Sequence, residues 1–441
     1  MVSAPSSVEP SLRRSEQVTS RLPHLVHVVA GEGEKDLIGP QVIDPTVRQA
    51  EALGVDGVAS PAMTLLLEPA RRVVSRSMRV RLRALRERAG TVRVSAYPVV
   101  GRFGIHANAV PLARWLRSVV GERQVMFHCR GESAVEWVAA LKPHFPGCGI
   151  IADIRGAWPE EALHAAGFDG PHNAPPALVQ RYHQHFSRLH GALASAGAVL
   201  SVSPGMLDWL ASLGVPRTRM AYVPCAVSAI QFRQSVREAM RRQLGVEDKT
   251  VYAYVGILAS YHSIEDGLIR FFRVLACRSA NAHLLCLTTE PARFRDLLAT
   301  AGVDATRATV MRVAHPDVPA YLSAADAGLL LMRPCRLAPT WQPIKYAEYL
   351  SSGLPIIVSP GVGVIDRQVE RERVGVVADV FGDADIATAA DDTAEVLRQR
   401  GGEMRQRALA LCEREFIWSR YIDTWRTTYQ RAFAWAAATT S

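Results

Sequence analysis

Thr340-Trp-Gln-Pro-Ile-Lys-Tyr-Ala-Glu-Tyr-Leu-Ser-Ser-Gly-Leu-Pro-Ile-Ile-Val-Ser359 reads as one complete helix-to-strand unit. Pro343 lacks an N–H and suits a first helical turn, while Gly353 can take the left-handed conformation that closes a helix. Behind it, Leu354 to Val358 is a continuous apolar run rich in branched residues, as expected of a parallel strand buried on both faces. The N-terminus of such a helix carries unpaired N–H groups and positive partial charge, and Lys345 adds a cation. The spacing therefore predicts an anion, a phosphate above all, as the natural guest. Lys345 and Glu348 stand at i and i+3, on one face near that end, where a lysine can meet phosphate and a carboxylate can accept two sugar hydroxyls. Taken by spacing alone, the same pair can also be an ordinary solvent ion pair.

Outward from this unit the chain repeats the same alternation. Strand-like runs fall at Leu25 to Ala30, Val92 to Tyr97, Val125 to Cys129, Gly149 to Ile154, Val199 to Ser203 and Met220 to Pro224, with helical stretches such as Gln41 to Leu53, Ala107 to Val120 and Ala177 to Ala196 between them. After a charged helical segment from Phe232 to Leu244 a second series follows, at Val251 to Gly256, His283 to Thr288, Thr309 to Val313, Gly328 to Leu331, Leu354 to Val358 and Gly375 to Ala378. Strands alternating with helices imply parallel sheets flanked by helices. Two such series in 441 residues imply two domains, since single cores stop growing at about 250–300 residues. The expected division is a lead-in over 1–22 without periodicity, a first α/β domain over 23–225, a second over 226–415, and a closing segment over 416–441. That last segment spaces Trp418, Ile422, Trp425, Tyr429 and Phe433 as a helical aromatic stripe, which needs a large surface to pack on.

Composition sets bounds on function. With 49% hydrophobic and 21% charged residues the chain is ordinary globular protein. No apolar run approaches the roughly 20 residues that span a bilayer, and Met1 to Arg21 lacks a signal-peptide core, so a cytoplasmic protein is expected. The seven cysteines show no C-x-x-C spacing and read as buried, reduced thiols rather than a metal or disulfide set. The net charge of +9 is carried mainly by arginine and does not by itself choose among nucleic acid, anionic lipid, acidic substrate and coding bias. Its densest cluster, Arg71 to Arg88, places Val74, Met78, Leu82 and Leu85 on one helical face with arginines around the rest. This is an amphipathic basic helix, either an ordinary surface helix or one able to dock on the anionic inner face of a membrane.

Ligands of doubly wound sheets bind beyond the carboxyl ends of the strands, which selects the loops to inspect. After the first strand comes Gly31-Glu-Gly33, whose glycines allow backbone approach, although the loop is acidic and lacks the G-x-G-x-x-G spacing of a dinucleotide site. Gly256, in Val255-Gly256-Ile-Leu-Ala-Ser-Tyr261-His262, would let a diphosphate approach the main chain. The main chain of Val313-Ala-His315-Pro-Asp-Val-Pro319 could face a planar base. In the first series, Phe127-His-Cys-Arg130-Gly-Glu132 and Asp153-Ile-Arg155-Gly-Ala-Trp-Pro-Glu160-Glu161 set charges where buried strands emerge, as functional residues or as structural pairs. No metal constellation is evident: Asp383-Ala-Asp385 stands at a helix start, where aspartate ordinarily caps. No G-x-S-x-G nucleophile elbow is present either.

Val318-Pro-Ala-Tyr-Leu-Ser-Ala-Ala-Asp326, Pro343-Ile-Lys345 to Glu348-Tyr-Leu, Gly353-Leu-Pro355, Val374-Gly375 and Phe416-Ile-Trp418 together resemble the second domain and closing helix of the retaining GT-B glycosyltransferases of family 4. The resemblance implies two Rossmann-like domains with parallel sheets facing across a cleft, and a last helix crossing back to the first domain. It implies a nucleotide-diphosphate-sugar as co-substrate, an acceptor (glycan, lipid-linked or small molecule) on the first domain, and no cofactor or divalent metal. It further implies that Glu348 holds the donor ribose, that Lys345 and the helix end at Pro343 face the diphosphate, and that the chain near His315 meets the base. Gly256 and its loop would complete the donor site. Gly31, Gly33 and Arg130 would face the acceptor, and Asp153 or Arg155 would stand near the reacting carbon. Two departures accompany it, both at positions that the resemblance assigns to the donor site: the first acid of the family's E-x7-E is Thr340 here, and the basic residue usual after the first strand of the second domain is replaced by Tyr261 and His262, so Thr340, Tyr261 and His262 are expected to face the donor. Those departures keep a catalytically silent donor-binding or scaffold protein open, alongside a sugar-nucleotide epimerase of the same fold.

Overall fold

A computed structural model describes residues 22–33, 35, 37–100, 104–258, 264–381 and 386–440. The expected lead-in up to residue 21, Tyr261, His262, Asp383 and Asp385 lie outside the described residues. Two sheets are present, every ladder parallel. The first has seven strands in the order β3-β2-β1-β4-β5-β6-β7, formed by β1 (His24–Ala30), β2 (Ala62–Pro69), β3 (Arg93–Val99), β4 (Val125–Arg130), β5 (Gly149–Ile154), β6 (Ala198–Ser201) and β7 (Met220–Tyr222). The second has six in the order β10-β9-β8-β11-β12-β13, formed by β8 (Thr250–Val255), β9 (Ala282–Leu287), β10 (Ala308–Met311), β11 (Ala327–Leu330), β12 (Ile356–Val358) and β13 (Gly375–Val377). Strand order reverses between β1 and β4 in one sheet and between β8 and β11 in the other, so each has its crevice beside its first strand.

Helices cover both faces, which is why Leu25, Val26, Val28 and Val29 of β1 are all fully buried. Apolar burial on both faces leaves register to the polar residues. His27 is level with Thr64 of β2 and His128 of β4, and its Nδ1 lies 3.0 Å from both Thr46 Oγ1 and Gln49 Oε1. A one-residue slip would turn His27 to the opposite face, away from these partners, at a cost of about 1–3 kcal/mol for the group left unpaired.

The helix that organises the sequence reading spans Ile344–Ser351, with Pro343 as its N-cap rather than inside its first turn. Its end has the expected geometry: Gly353 has φ +66, and Gly353 and Leu354 donate to the carbonyls of Leu350 and Tyr349. These are the two bonds of a Schellman cap. The two residues after Gly353 precede the strand, which starts at Ile356.

Three sequence expectations are corrected. The run Ala62–Pro69, not anticipated, is β2, pairing with β1 and β3. The basic stretch is two helices, Ala70–Val73 and Arg76–Ala89, because the Ser75 hydroxyl caps the second by accepting from Met78 N–H. Met78, Leu82 and Leu85 are buried as expected, whereas Val74 is 72% exposed. Among the cysteines, Cys277 is exposed and none of the seven is in a disulfide.

The chain returns to the first sheet at its end. After a long helix, Ile386–Glu415, Val227 N–H donates to Phe416 and Trp418 N–H to Val227, pinning the crossing point. The Ile422–Thr440 helix then packs on β5, β6 and the Asp44–Leu53 helix. Trp418, Trp425 and Tyr429 of the stripe are buried there with Leu25, Met126, Ile151 and Leu200. Among the described residues no helix is long and apolar enough to cross a membrane.

Candidate functional site

Beyond the carboxyl end of β8 the backbone of Gly256 has φ +151. A Cβ placed there would lie 2.7 Å from both Cε and Nζ of Lys345. The glycine thus provides the space that the lysine occupies. Lys345 is 9% exposed, with Nζ 3.4 Å from the Tyr254 hydroxyl and 4.7 Å from the centre of its ring. Burial lowers its pKa to about 7, against smaller opposing effects of Glu348 and Cys286. A lysine this poorly solvated gains more from an arriving anion than a surface lysine would. One helical turn on, Glu348 Oε1 lies 3.2 Å from His315 Nε2, both side chains partly exposed. His315 begins a short 3-10 turn, His315–Asp317, that leads into the Val318–Ser323 helix. Gly256, Pro343, Lys345, Glu348 and His315 therefore converge on one edge of the second sheet. The His315 imidazole on Glu348 was not expected from sequence, which offered only the main chain there; nor was Tyr254.

Thr340 does not join this group. It ends the 3-10 turn Ala338–Thr340 and is buried. Its hydroxyl donates to the Leu337 carbonyl, and its own carbonyl accepts from Ser203 Oγ at 3.0 Å. The whole segment before the Ile344–Ser351 helix leans on the first half of the chain: Arg336 pairs with Glu160, and Gln342 Oε1 accepts from Cys225 N–H. This clamp fixes the direction from which the helix N-terminus approaches the second sheet's edge.

At the reversal point of the first sheet the loop after β1 is held by its own protein. Gly31 has φ +75 and donates to Leu67. Gly33 N–H donates to Glu68 Oε1 at 2.6 Å, and its carbonyl accepts from Arg81. Arg130, at the end of β4, approaches Glu32 Oε2 at 3.3 Å. Level with Arg130 stands Asp153, which is 1% exposed and accepts from Arg155 Nε at 2.9 Å. Burial pushes the Asp153 pKa up, but Arg155 and His128 more than offset it and hold the carboxyl well below the usual range. Asp153 thus spends its charge internally, and Arg155 is the member nearer the edge. Below them the His128 ring lies tilted against His27, centres 4.6 Å apart, and its Nδ1 is 3.1 Å from the Tyr429 hydroxyl, tying the closing helix to the sheet by a polar contact invisible in local sequence. Glu132 and Glu161, quoted in the motifs but given no role, have pKa values raised by burial. Among the described residues no group of three or more His, Cys, Asp or Glu could hold a metal ion.

No family model and no curated protein matches the chain by sequence. Solved structures do match. HepE of Anabaena, in complex with UDP-glucose, is 12% identical over 92% of this chain and 98% of its own, with a TM-score of 0.61. A glycosyltransferase from Rickettsia africae is 12% identical over 93% and 98%, TM-score 0.64. Sucrose-phosphate synthase of Thermosynechococcus elongatus is 15% identical over 93% and 99%, TM-score 0.60. At such identities the likeness concerns architecture, and that architecture, two parallel-sheet Rossmann-like halves with a returning last helix, is GT-B.

Proposed function

We propose that this protein transfers a sugar from a nucleotide-diphosphate-sugar to an acceptor, with retention of configuration, in the synthesis of a polysaccharide or glycoconjugate. The observation that carries the reading is the convergence of Gly256, Lys345, Glu348 and His315 beside the Ile344–Ser351 helix N-terminus. Matching structures crystallised with UDP and UDP-glucose support a uridine nucleotide as the first donor to try.

In this reading the diphosphate lies against Gly256, the ammonium of Lys345 and the first-turn N–H groups, while Glu348, oriented by His315, accepts the ribose hydroxyls. As the bond between the anomeric carbon and the diphosphate oxygen breaks, negative charge gathers on the leaving group, and Lys345 with the helix end stabilises it. The acceptor hydroxyl forms the new bond from the face the diphosphate leaves, and its proton passes to the departing phosphate. Arg155, positioned by Asp153, and Arg130 supply the charged contacts of the first half. Lys345 with the helix end does here what a divalent ion would otherwise do, so the transfer is metal-independent.

Peripheral membrane contact would use the face where Arg76, Arg79 and Arg83 surround Val80, which is 65% exposed. Arginines around an exposed aliphatic side chain suit an anionic bilayer surface.

Incubation with UDP-glucose and other nucleotide sugars, with slow hydrolysis as the readout, tests the reading. Turnover that survives a chelator and falls at least tenfold in Lys345→Ala, over ~1.4 kcal/mol in barrier, is expected. Donor binding without any turnover, with acceptors present, would favour a silent scaffold.

A further inference from the structure

A file of polar side chains crosses the apolar interior of the first half, from the closing helix to the carboxyl end of β5. It starts at Tyr429, whose hydroxyl lies 3.1 Å from His128 Nδ1. His128 Nε2 is 3.5 Å from Asp153 Oδ2. The same oxygen accepts from Arg155 Nε at 2.9 Å and Nη2 at 2.8 Å. Tyr429, His128 and Asp153 are buried, and of the four only Arg155 keeps some exposure, 12% of its side chain.

The charge on Asp153 gives each contact a direction. Against the effect of burial, Arg155 and His128 hold its carboxyl well below the usual range, so it is a carboxylate and can only accept. His128 Nε2 therefore carries the hydrogen, which leaves Nδ1 to accept from the Tyr429 hydroxyl. The Gln49 amide nitrogen, also 3.5 Å from Nε2, is itself a donor and does not compete for that hydrogen.

Two observations make the orientation of Arg155 depend on this file. Asp153 Oδ1 is buried without a hydrogen-bond partner, so every anchor of the carboxylate, His128 included, falls on Oδ2. Without His128 only Arg155 would hold it, and the carboxylate could turn. On the arginine, Nε and Nη2 both face Asp153, while Nη1 has the Cys225 thiol at 3.7 Å, a weak acceptor. Asp153 is thus what fixes the guanidinium, and His128 is what fixes Asp153. A charge kept in a core with one oxygen unmet is costly, and such costs are characteristic of functional groups.

We infer that Tyr429 and His128 are positioning residues for sugar transfer, setting through Asp153 the direction in which Arg155 is presented at the edge of the first sheet. The returning helix would then complete the charged site of the first half as well as its core. The inference rests on the role proposed above for Arg155, but the orientation itself can be read without turnover.

Tyr429→Phe removes one hydroxyl and keeps the ring. Turnover of the nucleotide sugar should fall about tenfold with donor affinity by calorimetry unchanged, and should fall no further when Tyr429→Phe is added to Arg155→Ala, because the hydroxyl acts through that arginine. The second readout is the pH dependence of Cys225 alkylation by iodoacetamide, followed by peptide mass spectrometry. The guanidinium beside this thiol favours the thiolate, so the thiol pKa should rise in Tyr429→Phe as it does in Arg155→Ala. His128→Ala should raise it too, and His128→Gln, which retains a donor towards Asp153, should restore it. A thiol pKa unmoved by Tyr429→Phe and His128→Ala would overturn the positioning. A loss of turnover that adds in full to that of Arg155→Ala, or a thiol pKa that rises while turnover is kept, would overturn its part in transfer. If the wild type turns over no nucleotide sugar, the glycosyl-transfer reading fails, and the Cys225 readout still decides whether Tyr429 orients Arg155.

Discussion

Donor binding above neutral pH should draw a proton from solution, with Lys345 as its destination. In the free protein burial lowers the pKa of this lysine from 10.5 to about 7. At pH 8 about nine-tenths of the molecules then carry a neutral amine. A diphosphate arriving beside Gly256 favours the ammonium, so binding should take up about 0.9 proton at that pH. The linked cost is an affinity that falls more than tenfold between pH 7 and pH 9, about 2 kcal/mol. Calorimetry with UDP-glucose in two buffers of different ionisation enthalpy gives the proton number directly, because a diphosphate diester does not itself titrate there. Lys345→Met keeps the bulk and cannot accept the proton, so its uptake should be near zero and its affinity flat with pH. Equal proton uptake by both proteins, or a wild-type affinity unchanged from pH 7 to 9, would refute the placement of Lys345 against the donor. Stability carries the same signature. The unfolded chain holds the lysine proton up to 10.5 while the folded chain releases it at about 7, so between these values the unfolded state binds more protons. Stability attributable to this residue therefore rises with pH across that window, by about 5 kcal/mol in all, and Lys345→Met should lose the slope.

Gly256→Ala should weaken donor binding at least tenfold, since the new Cβ would fall 2.7 Å from Lys345 Nζ and expel it; an unchanged Kd would mean that the loop has room to shift. Glu348→Gln keeps a polar partner for His315 but removes the carboxylate, and donor affinity should drop about tenfold, ~1.4 kcal/mol, by calorimetry. Were the affinity unaltered, the ribose would be held elsewhere. Replacing Arg76, Arg79 and Arg83 by Glu should abolish sedimentation with anionic liposomes at low salt, at about 1 kcal/mol per arginine, while soluble donor hydrolysis continues. Sedimentation persisting in that variant, or absent from the wild type, would dismiss the membrane face.

What could be read from sequence, and what could not, divides along the range of the interactions. The Schellman end of the Ile344–Ser351 helix depends on residues within one turn, and Gly353 announced it. Strands buried on both faces announce themselves as apolar runs, and in β2 that run, Met63 to Leu67, is broken by Thr64. It ends in Glu68, a fully buried carboxylate, and merges into a basic stretch. That charge is tolerable because Gly33 N–H and Arg72 meet it, and the first of these partners belongs to a distant loop. The edge beside Gly256 follows the same rule. Lys345 and Glu348 were legible as a cation and an acceptor one turn apart, but burial of the lysine comes from β8 and the partner of the carboxylate comes from the loop of His315.

Thr340 shows the rule deciding a functional question. Judged against the family it resembles, a threonine in place of an acid suggests a damaged donor site. In the fold the position faces the first half instead, enclosed by Ser203 and Leu337, where Gly205 lets the Pro339 carbonyl approach with no side chain between. A carboxylate there would be buried beside the carbonyl of Leu337, which can only accept, and an unpaired buried charge costs several kcal/mol. Threonine satisfies that carbonyl with its hydroxyl. The departure therefore follows from how the two halves are clamped together, and it does not touch the Lys345, Glu348 and His315 group proposed to hold the donor.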